Sequence, residues 1–388
     1  MVPGRLTPIA ALLAASVAAA LASGCSSDVK IGAVISLTGA VGPYGHQVTR
    51  GLDLALEAVN AEGGIGGAPI QLLYRDDATN SDTGHKAALD LIENEGVRII
   101  IGAVSSSVTL ELAKICEKKR VLLLSPTSSA PSISEAGGYI FRNYPSDILE
   151  GTAMAEFART VGLNRVAILA LDNEFGAGLA EVFTRRFESK SREVVKTIRI
   201  DESDPASLSR AIAEVELLDP QGIYLVAYVD VMADLLRQLR ESGSQALLMG
   251  SGSVTDQLRH QAGAAAEQFV YPQPVFDPAS REPQVAGFVQ AFQAKYGLTP
   301  DIYAAHGYDA LKLIVQAMRD TGKTSPDDVR RGLHGLENYW GAAGQTQFDE
   351  RGDVVRFPVI FVIAEGQPVP YEQFEKRGGQ LAIPQMKL

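Results

Sequence analysis

Short aliphatic runs alternate with amphipathic stretches along most of the chain. The first run, Val29–Ile35, shows no in-and-out alternation, and Tyr44–Ala61 follows with Val48, Leu52, Ala55, Leu56 and Val59 at helical spacing. Ile70–Tyr74, Val97–Ile101 and Val121–Leu124 continue the strand series. Between them lie helical patterns through Ala87, Leu91 and Ile92 and around Leu110–Glu117. Strands that are apolar on both faces belong in a parallel sheet covered by helices on either side. Tyr139–Phe141 then leads through Pro145 to a helix starting near Ser146-Asp147, where Glu150 is placed for a capping box.

The rhythm restarts at Val166. Strands are predicted at Val166–Leu171, Val194–Ile200, Ile223–Ala227 and Leu247–Met249, with helices near Ala180–Glu188, Leu208–Leu217 and Met232–Arg240. A second doubly wound sheet accommodates them better than one very large sheet. Pro272, Pro274 and Pro278 stop regular structure and mark a crossing segment. Two helices, Val285–Tyr296 and Ile302–Arg319, and a strand-like stretch, Val354–Ile363, complete the pattern. The fold class is therefore α/β, with two doubly wound parallel-sheet lobes.

Residues 1–24 differ from the rest. Arg5 is their only charge, Ile9–Leu21 is almost wholly Ala, Leu and Val, and small residues lead to Ser23-Gly24-Cys25. This is the grammar of a signal peptide, with an apolar core shorter than the roughly 20 residues a spanning helix needs. Leu21-Ala22-Ser23-Gly24-Cys25 resembles a bacterial lipobox, departing from it at Ala22 where Leu is usual. Lipidation at Cys25 would anchor the exported protein to a membrane, facing the periplasm or the cell exterior. Cys116, the other cysteine, is then expected as a small buried core residue, which excludes a disulfide framework. The formal net charge is −11, with no basic run, so nucleic acid is not an expected partner.

Catalytic signatures are scarce. The sequence contains no HExxH, Walker loop or GxSxG, and Gly250-Ser251-Gly252-Ser253 lacks the elbow spacing. His46, His85, His260, His306 and His334 lie far apart without metal-ligand spacing and are expected as surface or capping residues. Gly63-Gly64-Ile65-Gly66-Gly67 follows a helix and precedes a strand, the reverse of a dinucleotide fingerprint, so it is expected as a turn. Neither an enzyme nor a bound metal or cofactor is expected. Two hydroxyl-rich turns say more. Ser105-Ser106-Ser107-Val108-Thr109 and Ser125-Pro126-Thr127-Ser128-Ser129 each follow a strand, at the carboxyl ends where open α/β sheets bind ligands. Hydroxyls and free N–H groups at a helix start suit a carboxylate, whereas capping alone would need one Ser or Thr.

Gly39-Ala-Val-Gly-Pro-Tyr-Gly-His-Gln, Asn60-Ala-Glu-Gly-Gly-Ile-Gly-Gly, Asp76-Asp77 and the two hydroxyl turns together resemble the type I periplasmic binding proteins of the branched-chain amino-acid transport group. Phe141-Arg142-Asn143-Tyr144-Pro145-Ser146-Asp147, Asp172-Asn-Glu-Phe175-Gly and Gly344-Gln-Thr-Gln-Phe-Asp349 extend the match in order over residues 29–365. The resemblance implies two lobes joined by three crossing segments, here residues 28–147 with 276–355 and residues 148–275 with 356–388. It also implies a monomer that delivers a small solute to an ABC permease. Carried over by position, Tyr44 would line the cleft, Ser106 and Ser129, with the backbone around Thr127 and Ser128, would hold the ligand carboxylate, and Ser105 and Ser251 are further ligand-binding candidates. Phe175 and Tyr228 would close over the side chain, and Asp147 would sit near the ammonium, its alternative role being a helix cap.

Two departures matter. Amino-acid binders of this family usually carry an acid after the Met-Gly found here as Met249-Gly250, whereas this chain has Ser251-Gly252-Ser253. An unpaired buried cation costs several kcal/mol, so either Asp147 compensates or the ligand has no amino group, as in an aromatic or aliphatic carboxylate. Thr79 and Ser105 also stand where some members have a disulfide pair. A sensor of the same fold acting through a separate membrane protein is the other expectation from this resemblance.

Overall fold

The computed structural model describes residues 28–384, so the signal-like segment and Cys25 lie outside the described residues. The first sheet contains β1 (Val29–Ile35), β2 (Ile70–Asp76), β3 (Ile99–Gly102), β4 (Leu122–Ser125) and β5 (Ile140–Arg142), in the order β2-β1-β3-β4-β5. Every neighbouring pair is parallel. Successive strand residues supply opposite faces, which explains why the runs are apolar throughout. Ile31, Ala33, Ile35, Ile99 and Ile101 share a core with Val48 and Leu52 of α1 (Gly42–Ala61). Val34, Ile100 and Leu123 instead pack with Leu91 of α2 (Ser81–Glu93) and Leu112 of α3 (Ser106–Lys119). Cys116 lies in this second core, where burial pushes its thiol pKa up to about 12.

The chain then crosses into α4 (Asp147–Thr160) and a second α/β unit. This comprises β6 (Arg165–Leu171), α5 (Glu174–Phe187), β7 (Glu193–Ile200), α6 (Ser207–Leu218), β8 (Gly222–Val226), α7 (Val229–Glu241), β9 (Leu247–Gly250), α8 (Asp256–Ala262) and β10 (Val270–Gln273). It returns to the first lobe for α9 (Pro283–Tyr296), α10 (Ile302–Thr321), α11 (Pro326–His334) and a small hairpin of β11 (Tyr339–Gly341) and β12 (Gly344–Thr346). A third passage brings β13 (Val359–Ala364), β14 (Gln367–Pro370) and α12 (Tyr371–Lys376) back to the second sheet. That sheet runs β14-β13-β10-β9-β8-β6-β7.

Three local expectations change. The second sheet is parallel only through β10, because β13 and β14 join it antiparallel. The proline segment does not break at Pro272, since β10 continues through Tyr271, Pro272 and Gln273 against β13. By then β10 has left β9, which it pairs only at Val270, so the missing N–H of Pro272 faces no parallel ladder. The strand expected over Val354–Ile363 begins at Val359, as β13, and the residues before it form part of the third crossing. The glycine cluster is a turn, with Gly64 at φ +68° where an added Cβ would lie 1.9 Å from the Ala68 carbonyl oxygen. Helix α10 rides on α1 through Gly51 and Gly307, where a Cβ would strike backbone of the opposite helix within 2.0–2.4 Å.

Arg142 and Asp353 hold the first and third crossings together. Arg142 is fully buried at the end of β5, and its Nε and Nη2 donate to the two Asp353 oxygens at 2.6 and 2.9 Å. Its Nη1 donates to the Ala130 carbonyl at 2.8 Å and Nη2 also reaches the Ser134 hydroxyl at 2.7 Å. Asp353→Ala leaves this guanidinium buried without its counter-charge. The variant is expected to lose about 3–5 kcal/mol of stability, measured by urea unfolding of the purified protein; a loss below about 1 kcal/mol would refute the clasp.

Candidate functional site

The hydroxyl-rich turns face each other across the carboxyl ends of β3 and β4, and most of their hydroxyls tie one turn to the other. Ser105 caps α3, with its Oγ accepting from Val108 N at 3.5 Å. Ser125 donates to the Ala103 carbonyl at 2.8 Å, and Thr127 donates to the Val104 carbonyl at 3.0 Å. The Ser128 hydroxyl lies within 3.1 Å of both carbonyls and 2.7 Å from Thr109 Oγ1. Ser106 differs. Its Oγ accepts from the amides of Ser129 and Ala130 at 3.3 and 3.2 Å, which leaves its proton free to be donated into the cleft at the start of α3.

Across the cleft, Asn173 caps α5 by accepting from Gly176 N at 2.9 Å, which places Phe175 in the first turn. Tyr228 occupies the position before α7. The two rings stack with centroids 5.4 Å apart. Tyr44 reaches over from the first lobe, donating from its hydroxyl to the Ser253 carbonyl at 2.9 Å and accepting from Val229 N at 2.8 Å. Tyr303 of α10 donates to the Gly252 carbonyl at 3.2 Å and meets Tyr44 edge-on at 4.8 Å. These contacts describe a closed cleft.

Between the lobes lies a small cavity, consistent with the closed arrangement of the cleft. Of the residues singled out in the sequence, Tyr44, Ser106, Thr127, Ser129, Phe175 and Tyr228 line it. Ser105, Ser128, Asp147 and Ser251 stand behind its wall. Ser251 donates to the Ala227 carbonyl at 3.2 Å, and the bonds of Ser105 and Ser128 hold the turns. The wall also includes Tyr144, Glu150, Gly252 and Tyr303, which the sequence reading did not single out as cleft residues. Burial raises the pKa of Tyr44, Tyr144, Tyr228 and Tyr303, so all four phenols are neutral.

The first turn of α4 carries the site's acids. Ser146 is its N-cap and accepts from Ile148 N at 3.3 Å, so Glu150 sits one position too far along to close the expected capping box. Glu150 instead reaches the segment just after β9, where its Oε1 accepts from Gly252 N at 2.9 Å. Burial raises its pKa, the Asp147 charge raises it further, and the Gly252 amide offsets part of the rise. Asp147 is fully buried and neither carboxyl oxygen has a hydrogen-bond partner. Burial pushes its pKa up to about 7, against the nearby Ser129 hydroxyl and Arg142 guanidinium. His306 corrects another expectation. It is buried against Tyr144, at 5.0 Å between ring centroids, rather than at the surface.

Asp147 therefore penalises folding whenever it must ionise. Between a carboxylate's ordinary value near 4 and about 7, the folded protein keeps a proton that the unfolded chain has released, so stability falls as pH rises across that window. Asp147→Asn is expected to stabilise the unliganded protein at pH 8 by about 2–4 kcal/mol and to change little at pH 4. Melting curves at both pH values check this; equal effects at both would refute it.

Comparison with known proteins agrees with this architecture. The periplasmic binding protein family matches residues 28–365. A leucine-, isoleucine-, valine-, threonine- and alanine-binding protein of Pseudomonas aeruginosa is 27% identical over 86% of this chain and 88% of its own length. A leucine-binding protein of Thermotoga maritima superposes with a TM-score of 0.81 at 25% identity, covering 88% of this chain and 97% of that one. A benzoate-bound solute-binding protein from R. palustris shares the fold, with a TM-score of 0.80 at 21% identity over 89% of this chain and 95% of its own. The chain belongs to the periplasmic binding protein family, and its architecture is that of the type I members.

Proposed function

We propose that this protein is an exported lipoprotein that captures an amino acid or a related small carboxylate between its lobes and hands it to an ABC permease. The observation that carries the reading is the closed cleft itself: Ser106, Thr127 and Ser129 on one wall face Phe175 and Tyr228 on the other. Ser106 and the N-terminus of α3 offer donors for a carboxylate, while the rings bury an apolar side chain. Binding then works by closure. The first lobe takes the carboxylate, and the second completes the pocket, so that solute shifts the open–closed equilibrium. No bond is made or broken, and the role is binding rather than catalysis. The names of the relatives, which include leucine-, isoleucine- and valine-binding proteins, support amino acids as the first ligands to try.

Two measurements test this. In a thermal-shift screen of the secreted domain against amino acids, amides and aromatic acids, a solute at 100 times its dissociation constant is expected to add about 2.7 kcal/mol. Ser106→Ala and Tyr228→Ala should each weaken that binding, Ser106→Ala by about 1.5–3 kcal/mol; unchanged affinity in both variants would remove the cleft assignment. Separately, Cys25→Ser is expected to move the full-length protein from the membrane pellet to the soluble fraction of expressing cells. Persistent pelleting of the variant would defeat the lipid-anchor proposal.

A further inference from the structure

We propose that Glu150 is the acceptor for a cationic group on the solute, so that the cleft takes amino acids in preference to carboxylates lacking an amine. The inference rests on the reading of this cleft as a solute site and names the solute class.

The geometry supports it at both ends of the cavity. Glu150 is the one charged side chain on the cavity wall among the described residues, and it is only 8% exposed. One carboxylate oxygen is held by the Gly252 amide, while Oε2 has no hydrogen-bond partner among the described residues. Gly252 leaves the room this requires, because a Cβ there would lie 2.8 Å from Oε2 and 2.7 Å from the Pro272 carbonyl oxygen. Facing it, Ser106 keeps a donatable proton beside the N-terminus of α3. One wall thus supplies donors and the other an acceptor, which matches a zwitterion.

A solute bearing only a carboxylate would bring a buried negative charge into a cavity whose wall has no Lys, Arg or His to pair it. An ammonium at Glu150 instead provides the counter-charge that a buried carboxylate needs. The flanking rings of Tyr44, Tyr144 and Tyr303 suit the same cation. The raised pKa of Glu150 in the empty cleft, caused by burial and then by Asp147, marks a carboxyl short of positive partners. The relation to β9 is also informative. Amino-acid binders resembling this chain carry their acid just after Met249-Gly250, where this chain has Ser251. Glu150 bonds the next amide along, so a carboxylate reaches the same strand end from α4.

Calorimetric titration with paired probes tests the inference: L-leucine with 4-methylpentanoate, L-phenylalanine with 3-phenylpropanoate, and L-alanine with propanoate. The wild-type protein is expected to bind at least one amino acid and to prefer it over its des-amino partner. Glu150→Gln, which keeps an oxygen for the Gly252 amide, should reduce that preference by about 100-fold or more. Wild-type preference for a des-amino acid overturns the inference and leaves solute binding standing, without any need for a variant. An unchanged preference in a folded Glu150→Gln protein overturns it equally. Failure of the wild type to bind either member of any pair counts against the proposed function and against this inference with it.

Discussion

The guanidinium of Arg142 is among the largest fully buried side chains, and burying a charge is tolerable only when its partners are complete. Here Asp353 accepts in bidentate fashion, and Ala130 and Ser134 take the remaining donors. Arg142 stands before the first passage between the lobes and Asp353 before the third, and the Arg142 amide also donates to the Gly352 carbonyl at 3.0 Å. The consequence reaches the cleft. Five residues after Arg142, the chain enters α4 with the Asp147 amide bonded to the Ser129 carbonyl at 2.8 Å. The clasp therefore sets where the hydroxyl turn ends and where the acids of α4 begin, and the cleft's two polar walls are referenced to one buried ion pair.

The cleft divides its polar groups between support and contact. Ser105, Ser125 and Ser128 satisfy buried backbone groups within the first lobe, which makes the paired turns rigid before any solute arrives. Ser106 has its acceptor capacity filled by two amides, so what remains is its proton. A donor held in this way loses little entropy on binding. Closure draws on different groups. The Tyr44 hydroxyl connects to both Ser253 and Val229, so one side chain of α1 spans to two loops of the second lobe.

Much of this was legible in the sequence because it is written locally. Apolar runs such as Ile99–Ile101 and Leu122–Leu124 marked two-sided burial, and hydroxyl clusters after strands marked the cleft. Capping chemistry also reads locally, and it misled at Glu150. The pattern around Ser146 suggests a box, but with Ser146 as the cap the glutamate is one residue out of register and turns to a strand a hundred residues away. Tyr144 and Tyr303 carried no local signal, since each is an ordinary aromatic on a crossing or a helix until the lobes fold together. His306 and the antiparallel β13–β14 edge depend in the same way on contacts distant in sequence.

The absent acid at Ser251 takes on a different meaning once charge is located in space rather than along the chain. On the proposed reading, a solute cation needs a carboxylate at a point in the cleft, not at a position in a motif, and Glu150 in the first turn of α4 lines that cleft. Placing the acid there has two physical consequences. It puts Glu150 three residues from Asp147 on the same helix face, where the Asp147 charge adds to the cost of ionising Glu150. It also brings that pair near the buried Tyr224, whose hydroxyl has no hydrogen-bond partner and whose pKa they help to raise. The cleft thus keeps two buried carboxyls on one helix face, and burial favours the neutral form of both.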